Sequence, residues 1–342
     1  MAPWNAIPTE VLKRILQCID SIQQLGECRL VHTSWDYPAE SAMFSKNIDI
    51  KNDNMLYKFC RHLRRKPGRG KLITHLNMDS VCSRTFLEEL LRICFTPNME
   101  ALMGDVLSEE DVGYKLISEI VLNSTEDFNK LRYVSNNRFA TESYLEMLSL
   151  FKESLERMDL QFTDSMLGEE DCSYLAAKFA SELSEFKSLN RLDLQMYYNY
   201  SLKDMEKILD NCPYLEYLRA SIGSIQCNSI EECFGSNKIK KFESLKILVL
   251  YIDPGESPIL LEYCLTKYPN IEKIIYHSPD GPPDFADEMG DFPIELEMLK
   301  SVPYYEMEFT LHEDDDVGVI RETMQTEYNN VVIDILDRQF MG

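Results

Sequence analysis

The sequence has no stretch that approaches the roughly 18 consecutive apolar residues needed to span a bilayer. Its first residues also lack the basic segment followed by an apolar run that is typical of a secretory signal. We therefore expect a cytoplasmic or nuclear protein that does not bind membranes. Glycine and proline are too sparse for a disordered or fibrous chain, so we expect the chain to fold.

Patterns of catalytic and metal-binding sites are also missing. The five histidines are scattered and the ten cysteines form no Cys-x-x-Cys pair, so no zinc site is expected and the cysteines are predicted to be reduced. Neither a Gly-x-Ser-x-Gly nor a His-Glu-x-x-His motif occurs. The acidic run at 313–316 is not an EF-hand, because Met324 falls where the loop needs a glutamate. The sequence therefore predicts a protein that is not an enzyme and needs no cofactor.

Charge is plentiful but unevenly distributed. The net charge is −23, yet residues 1–71 carry twelve Lys and Arg against seven Asp and Glu. An acidic body of this kind repels nucleic acid and anionic membranes, so neither is expected as a partner. A basic cluster follows a predicted helix and fits either an acidic partner or a helix C-terminus. It consists of Arg61, Arg64, Arg65, Lys66, Arg69 and Lys71.

Three short helices are predicted in the first fifty residues. Ile7, Val11 and Ile15 recur at four-residue spacing, with Leu12 and Leu16 beside them, which predicts an amphipathic helix. A second stretch at 25–35 repeats the pattern, and a third at 38–44 ends in apolar residues. Helices this short bury little apolar surface among themselves, so we expect some of it to need a further partner.

The order of these residues resembles the F-box signature. Ile-Pro-Thr-Glu-Val-Leu-x-x-Ile-Leu at 7–16 is followed by Leu25-x-x-Cys28-x-x-Val31-x-x-x-Trp35 and then by Met43-Phe44. The resemblance implies docking onto the Skp-type adaptor of an SCF-type cullin ubiquitin ligase. The contacts that it implies are Ile7, Pro8, Val11, Leu12, Ile15, Leu16, Leu30, Val31 and Trp35. The alternative is that these residues cap the structure that follows.

The remainder of the chain is a repeat. A Leu-x-x-Leu-x-Leu pattern is clearest at 155–160, 189–194, 215–220 and 245–250, and weaker copies fill the gaps. Its central apolar residues fall at 76, 102, 134, 158, 192, 218, 248, 274, 307 and 333. Their mean spacing of about 29 residues is typical of leucine-rich repeats whose outer segment is a helix.

The repeats predict an α/β fold. We expect an all-α F-box-like module at 1–46, then a leucine-rich-repeat solenoid of about ten repeats at 47–342, with parallel strands on its concave face and helices on its convex face. The joins Cys212-Pro213 and Tyr268-Pro269 resemble the subclass of these repeats found in F-box proteins. Proline, glycine and acidic residues concentrate at 279–297, which predicts a loop insertion.

The concave face of such a solenoid carries the strand residues between the core positions. Mixed charges at Arg157, Asp159, Arg191 and Asp193 are expected to pair across strands, and Glu306 and Glu308 follow further on. An apolar patch with flanking charges is predicted to bind an unknown protein substrate. The predicted site comprises Tyr217, Arg219, Ile247, Val249, Tyr251, Lys273, Ile275 and His277. The alternative is that another segment covers the patch or that its β-branched residues only stabilise the sheet.

Two functions are therefore expected from the sequence. The first is the substrate-recognition subunit of an SCF-type ubiquitin ligase, in which the N-terminal helices hold the adaptor and the repeats hold the target. The second is a ligase-independent interaction scaffold whose N-terminal helices only cap the repeats. The two differ in whether Val11, Ile15, Val31 and Trp35 are exposed in the isolated chain.

Overall fold

The computed structural model describes a chain of two compact units, Met1–Leu155 and Glu156–Gly342. Each unit is an α/β structure with a parallel sheet. The described residues are 7–78, 84–104, 107, 111–136, 139–162, 169–196, 200–223, 225, 227, 229–235, 239–251, 258–278, 292–310 and 333–336. Within them, no helix is both long and apolar enough to cross a membrane.

The first unit begins with three helices and continues with alternating strands and helices. Its elements are α1 (Thr9–Gln17), α2 (Ile22–Val31), α3 (Thr33–Phe44), β1 (Ile48–Ile50), α4 (Asp53–Arg65), a 3-10 helix (Pro67–Leu72), β2 (His75–Met78), α5 (Arg84–Cys94), β3 (Ala101–Met103), α6 (Val112–Leu122), β4 (Tyr133–Val134) and α7 (Glu142–Ser149). Strands β1 to β4 pair in chain order, each parallel to the next.

Helices α1 to α3 form a small cluster of their own, here called the N-terminal module. Its buried residues are Leu12, Leu16, Leu25, Ala39 and Ala42. Ser21 caps α2 by accepting a hydrogen bond from the Gln24 amide at 3.3 Å. The predicted helix at 25–35 is wrong in its end, because His32 is extended and its Nδ1 accepts from the Ser34 amide at 3.2 Å. The chain therefore breaks at His32, and Trp35 belongs to α3.

The second unit repeats a strand and a helix throughout. Its elements are β5 (Arg157–Phe162), α8 (Glu169–Glu182), a 3-10 helix (Leu183–Glu185), β6 (Arg191–Met196), α9 (Leu202–Leu209), β7 (Tyr217–Ile222), α10 (Ile230–Phe234), β8 (Ile247–Tyr251), α11 (Pro258–Lys267), β9 (Lys273–Ser278), α12 (Phe292–Leu299), β10 (Tyr304–Thr310) and β11 (Ile333–Leu336). Parallel strands that pair in chain order take right-handed crossovers, which place the connecting helices on one face of the sheet.

The predicted strand centres all fall in strands, and most lie in one ladder row. Met158 pairs with Leu192, Leu192 with Leu218, and Leu218 with Leu248, while Leu248 pairs with Ile274. The row then shifts by two residues, because Ile274 pairs with Tyr305 rather than with Met307. A shift of two preserves the alternation of side chains, so the core face remains continuous in spite of it.

Four of the cysteines are core residues. Cys60, Cys94 and Cys264 are buried in α4, α5 and α11, and Cys212 is buried just after α9. Burial raises the pKa of the Cys212 thiol to about 12, which keeps it protonated and unreactive. The prediction that every cysteine is reduced is wrong for Cys227 and Cys233, which form a disulfide just before and within α10.

The predicted loop insertion at 279–297 lies only partly within the described residues. Residues 279–291 lie outside the described part of the chain, and α12 begins at Phe292 with Pro293 in its first turn. Proline suits this position because the first helical amides have no partner within the helix. The predicted boundary at 46 stays a prediction.

Candidate functional site

Several large aliphatic side chains of α1 and α2 are exposed to solvent, and four of them are implied adaptor contacts. Val11, Ile15, Leu30 and Val31 are 47%, 48%, 87% and 56% exposed, and we call them the N-terminal apolar face. In α1, Val11 and Ile15 form one stripe at four-residue spacing, while Leu12 and Leu16 form the neighbouring stripe that points into the core. Apolar side chains that are grouped and exposed in this way are typical of an interaction surface.

The residues that the F-box resemblance implies as adaptor contacts differ in how far they are buried. Leu12 and Leu16 are 3% and 0% exposed, so as surface contacts they are corrected to core residues. Ile7 and Trp35 are partly buried against the same core, and Pro8 is exposed. Sequence reasoning missed Ile22, the first residue of α2, and Tyr37 of α3, which are also exposed.

Helix α3 of the N-terminal module is joined to the first repeat by buried charges. Glu40 of α3 pairs with Arg69 of the 3-10 helix, and both side chains are about nine-tenths buried. Arg29 of α2 contacts the same carboxylate at 3.1 Å and Asp36 at 2.7 Å. The Arg69 guanidinium also reaches His62 Nε2 at 2.7 Å. Burial and the charge of Arg69 lower the pKa of His62, which keeps this ring neutral and able to accept a hydrogen bond.

Two residues of the basic cluster at 61–71 form ion pairs within the first unit. Arg69 is buried in its ion pair, and Arg64 is paired with Glu89 of α5 through two hydrogen bonds. The bond from Arg64 lowers the pKa of Glu89 despite some desolvation of that carboxyl. These two residues stabilise packing between elements of the first unit. The possibility of an acidic partner is therefore confined to the other members of the cluster, Arg61, Arg65, Lys66 and Lys71.

The predicted substrate site lies on the sheet of the second unit, on the side away from the buried ladder row. We call this side the polar face. Its residues form rows across the strands, because Arg157, Arg191, Tyr217, Ile247 and Lys273 are successive register partners. A second row contains Asp159, Asp193, Arg219, Val249 and Ile275 in the same order.

The apolar patch is smaller than the sequence predicts. Val249 is only 5% exposed, which corrects its assignment to an open patch. Its register partners Arg219 and Ile275 flank it on both sides, and their longer side chains are well placed to cover it. Ile247, Tyr251 and Ile275 are half-buried and stay accessible. His277 is the register partner of Tyr251, but its side chain lies outside the described part of the structure.

Of the four charges that the sequence predicts to pair across strands, Asp193 does so with Arg219 as its partner, whereas Arg157 pairs with Asp159 of its own strand. Arg219 Nη1 donates to Asp193 Oδ2 across the strands at 3.1 Å, and Arg157 Nε donates to Asp159 Oδ1 within its strand at 3.2 Å. Lys273 pairs with Glu306 at 2.6 Å. Arg191 instead lies over the ring of Tyr217, with its guanidinium carbon 4.0 Å from the ring centroid.

A second cluster of charges lies among the helices and was not anticipated. Lys267 of α11 is fully buried, and its ammonium group donates to Glu206 at 2.7 Å and to Asp210 at 2.6 Å, both near the end of α9. Tyr263 donates to the same Glu206 carboxylate, and the pKa of this tyrosine is raised well above its usual range by burial. Every donor of the ammonium is used, since the Lys240 carbonyl accepts at 3.4 Å. A group so fully satisfied is suited to stabilising the helix layer.

Two further features of the described residues bear on ligand binding. No group of three or more His, Cys, Asp or Glu side chains within the described ranges is arranged to hold a metal ion. One open pocket of about 200 Å³ is lined by residues of α9 and α10, among them Lys203, Glu232 and the paired cysteines. Ser201 lines this pocket too, but its hydroxyl already caps α9 together with Asp204.

The chain matches no protein-family model and no curated protein in sequence.

Proposed function

We propose that this protein is the substrate-recognition subunit of an SCF-type ubiquitin ligase. The N-terminal module binds a Skp-type adaptor, and the strand–helix repeats are those of a leucine-rich-repeat solenoid that binds a protein target. The observation that carries the proposal is the N-terminal apolar face, whose aliphatic side chains come from the segment with the F-box-like spacing. No catalytic group is required of this chain, because a recognition subunit only holds the target near the transferring enzyme.

The composition of the N-terminal apolar face is suited to a stable protein contact. Fully burying an exposed aliphatic side chain contributes about 1.5 to 3 kcal/mol, and the half-exposed Val11, Ile15 and Val31 would each contribute part of that value. Leu30, at 87% exposure, offers the largest gain. Lys13 and Arg14 of α1 are exposed beside the apolar stripe, which gives a polar rim around an apolar centre.

The alternative is a ligase-independent scaffold whose N-terminal helices cap the repeats. The buried pair of Glu40 and Arg69 favours a capping role for α3, and the rings of Phe44 and Phe59 pack 6.4 Å apart at the same junction. This junction uses the side of the N-terminal module formed by α3. It leaves Val11, Ile15, Leu30 and Val31 unburied within the described part of the chain, so capping alone does not account for them.

The direct test is co-purification of the full chain with a Skp-type adaptor. The double variant Ile15→Asp, Val31→Asp places one charge on each of the two helices that supply the N-terminal apolar face, and we expect it to lose the adaptor completely. Leu122→Asp is the matched control, since Leu122 is 72% exposed on α6 and should keep the adaptor. Circular dichroism should show all three proteins folded. Failure of the unmodified chain to bind would favour the scaffold instead.

A further inference from the structure

On strands β5 to β7, the two rows of the polar face together carry one more positive than negative side chain. Arg157, Arg191 and Arg219 stand against Asp159 and Asp193 on strands β5 to β7, in a chain whose net charge is −23. Arg157 and Arg191 are register partners on adjacent strands, and like charges in this position repel each other. The sheet therefore holds a local cationic spot that the overall composition conceals.

Of these three arginines, Arg191 is the one whose charge is not paired with a described carboxylate. The carboxylate of Asp193 already accepts from Arg219 at 3.1 Å and from Gln195 at 3.1 Å. The Asp159 carboxylate accepts a hydrogen bond from Arg157. Within the described ranges, no carboxylate lies within salt-bridge distance of the Arg191 guanidinium. Within that part of the chain, its charge therefore has no carboxylate counterion.

The stacking on Tyr217 prepares Arg191 for a ligand. The 4.0 Å contact holds the planar guanidinium against the ring while leaving its N–H edge free to donate. A guanidinium held in this way loses little conformational entropy on binding and matches the two oxygens of a carboxylate or phosphate. Ile247, the register partner of Tyr217 on the other side, is half-buried and extends the contact with an apolar surface.

We propose that Arg191, supported by Tyr217 and flanked by Ile247, binds an acidic side chain next to an apolar residue in the target protein. This inference rests on the proposed function, since it names the chemistry that the polar face recognises. The two sources of the oxyanion are an Asp or Glu carboxylate and a phosphorylated Ser or Thr. The acidic remainder of the chain repels extended acidic surfaces, so a single oxyanion in a less acidic segment fits best.

The test uses three capped tripeptides that differ only in the central residue, with leucine on both sides and glutamate, phosphoserine or glutamine between. The readout is the Nε–H resonance of Arg191 in the full chain, assigned with Arg191→Lys, together with the methyl resonance of Ile247. At about 5 mM peptide, a concentration that detects millimolar affinity, we expect the anionic peptides to shift both signals. The glutamine peptide should shift Arg191 by less than a tenth as much.

Two variants separate recognition from general electrostatics. Arg191→Gln should abolish the shift of Ile247, whereas Arg61→Gln, which removes an exposed arginine of α4, should leave it unchanged. A response to phosphoserine alone would assign the site to a modified target, and an equal response to glutamate would assign it to an unmodified one. Equal shifts with the glutamine peptide, or none with any peptide, would overturn the proposal. The proposed adaptor contact does not involve Arg191, so the co-purification test and this peptide test can succeed or fail independently.

Discussion

Replacing Lys267 with Met is expected to lower the free energy of unfolding of the second unit by about 3 kcal/mol, because removal of one member of a buried ion pair leaves the other uncompensated. Lys267 is fully buried and is held by Glu206 and Asp210. Methionine fills a similar volume, so the loss reports charge rather than a cavity. For a unit of this size the melting temperature should fall by roughly 6 to 12 °C, measured by calorimetry.

The matched control is Lys203→Met, which removes the same charge from an exposed position on the neighbouring α9. It should change the melting temperature little. Adding Glu206→Gln to Lys267→Met should recover part of the loss, since the carboxylate that lost its partner is then neutral. If Lys267→Met were no more destabilising than the control, the buried network would not be a stabilising element of the helix layer.

Glu40→Ala should destabilise the first unit by about 3 kcal/mol for a related reason. Arg69 would remain about nine-tenths buried with only a neutral histidine as partner, because His62 Nε2 accepts from it at 2.7 Å. Arg29 would lose the same carboxylate but would keep Asp36. Urea unfolding followed by the fluorescence of Trp35, which lies in α3, should detect the change where it occurs.

Two further variants make this prediction specific. Glu27→Ala removes a carboxylate from an exposed position of α2 and should have little effect on unfolding. Arg69→Met combined with Glu40→Ala should be less destabilising than the sum of the single changes, because the two residues are in direct contact. An additive result would mean that the pair does not couple α3 to the first repeat.

The repeating strands could be predicted from the sequence because their signal is local and recurrent. Leucine or a similar residue returns at fixed intervals, and the core row from Met158 to Ile274 follows directly from it. Because successive side chains of a strand point to opposite faces, the sequence also predicted that Arg191 and Tyr217 lie on the polar face. The shift at Tyr305 could not be foreseen, since a displacement of two residues leaves the pattern of inward and outward positions unchanged.

The charged contacts were harder to predict because they join residues distant in sequence. Arg69 stood within a basic cluster, and nothing local indicated that it would pair with Glu40, 29 residues earlier. Lys267 did carry a signal, since it continues the buried stripe of Leu260, Tyr263 and Cys264 at helical spacing. Which of the two apolar stripes of α1 is buried depends on how all three N-terminal helices pack. Residue spacing alone does not specify that packing.

Hydrogen–deuterium exchange of the full chain, with and without a Skp-type adaptor, tests most directly whether the N-terminal apolar face is a docking surface. Binding stabilises the helices that it covers and makes their opening rarer. We therefore expect slower exchange in α1 and α2 on adding the adaptor, with α6 and the second unit unchanged. Unaltered exchange in α1 and α2 at saturating adaptor, or slower exchange only in the second unit, would contradict the account.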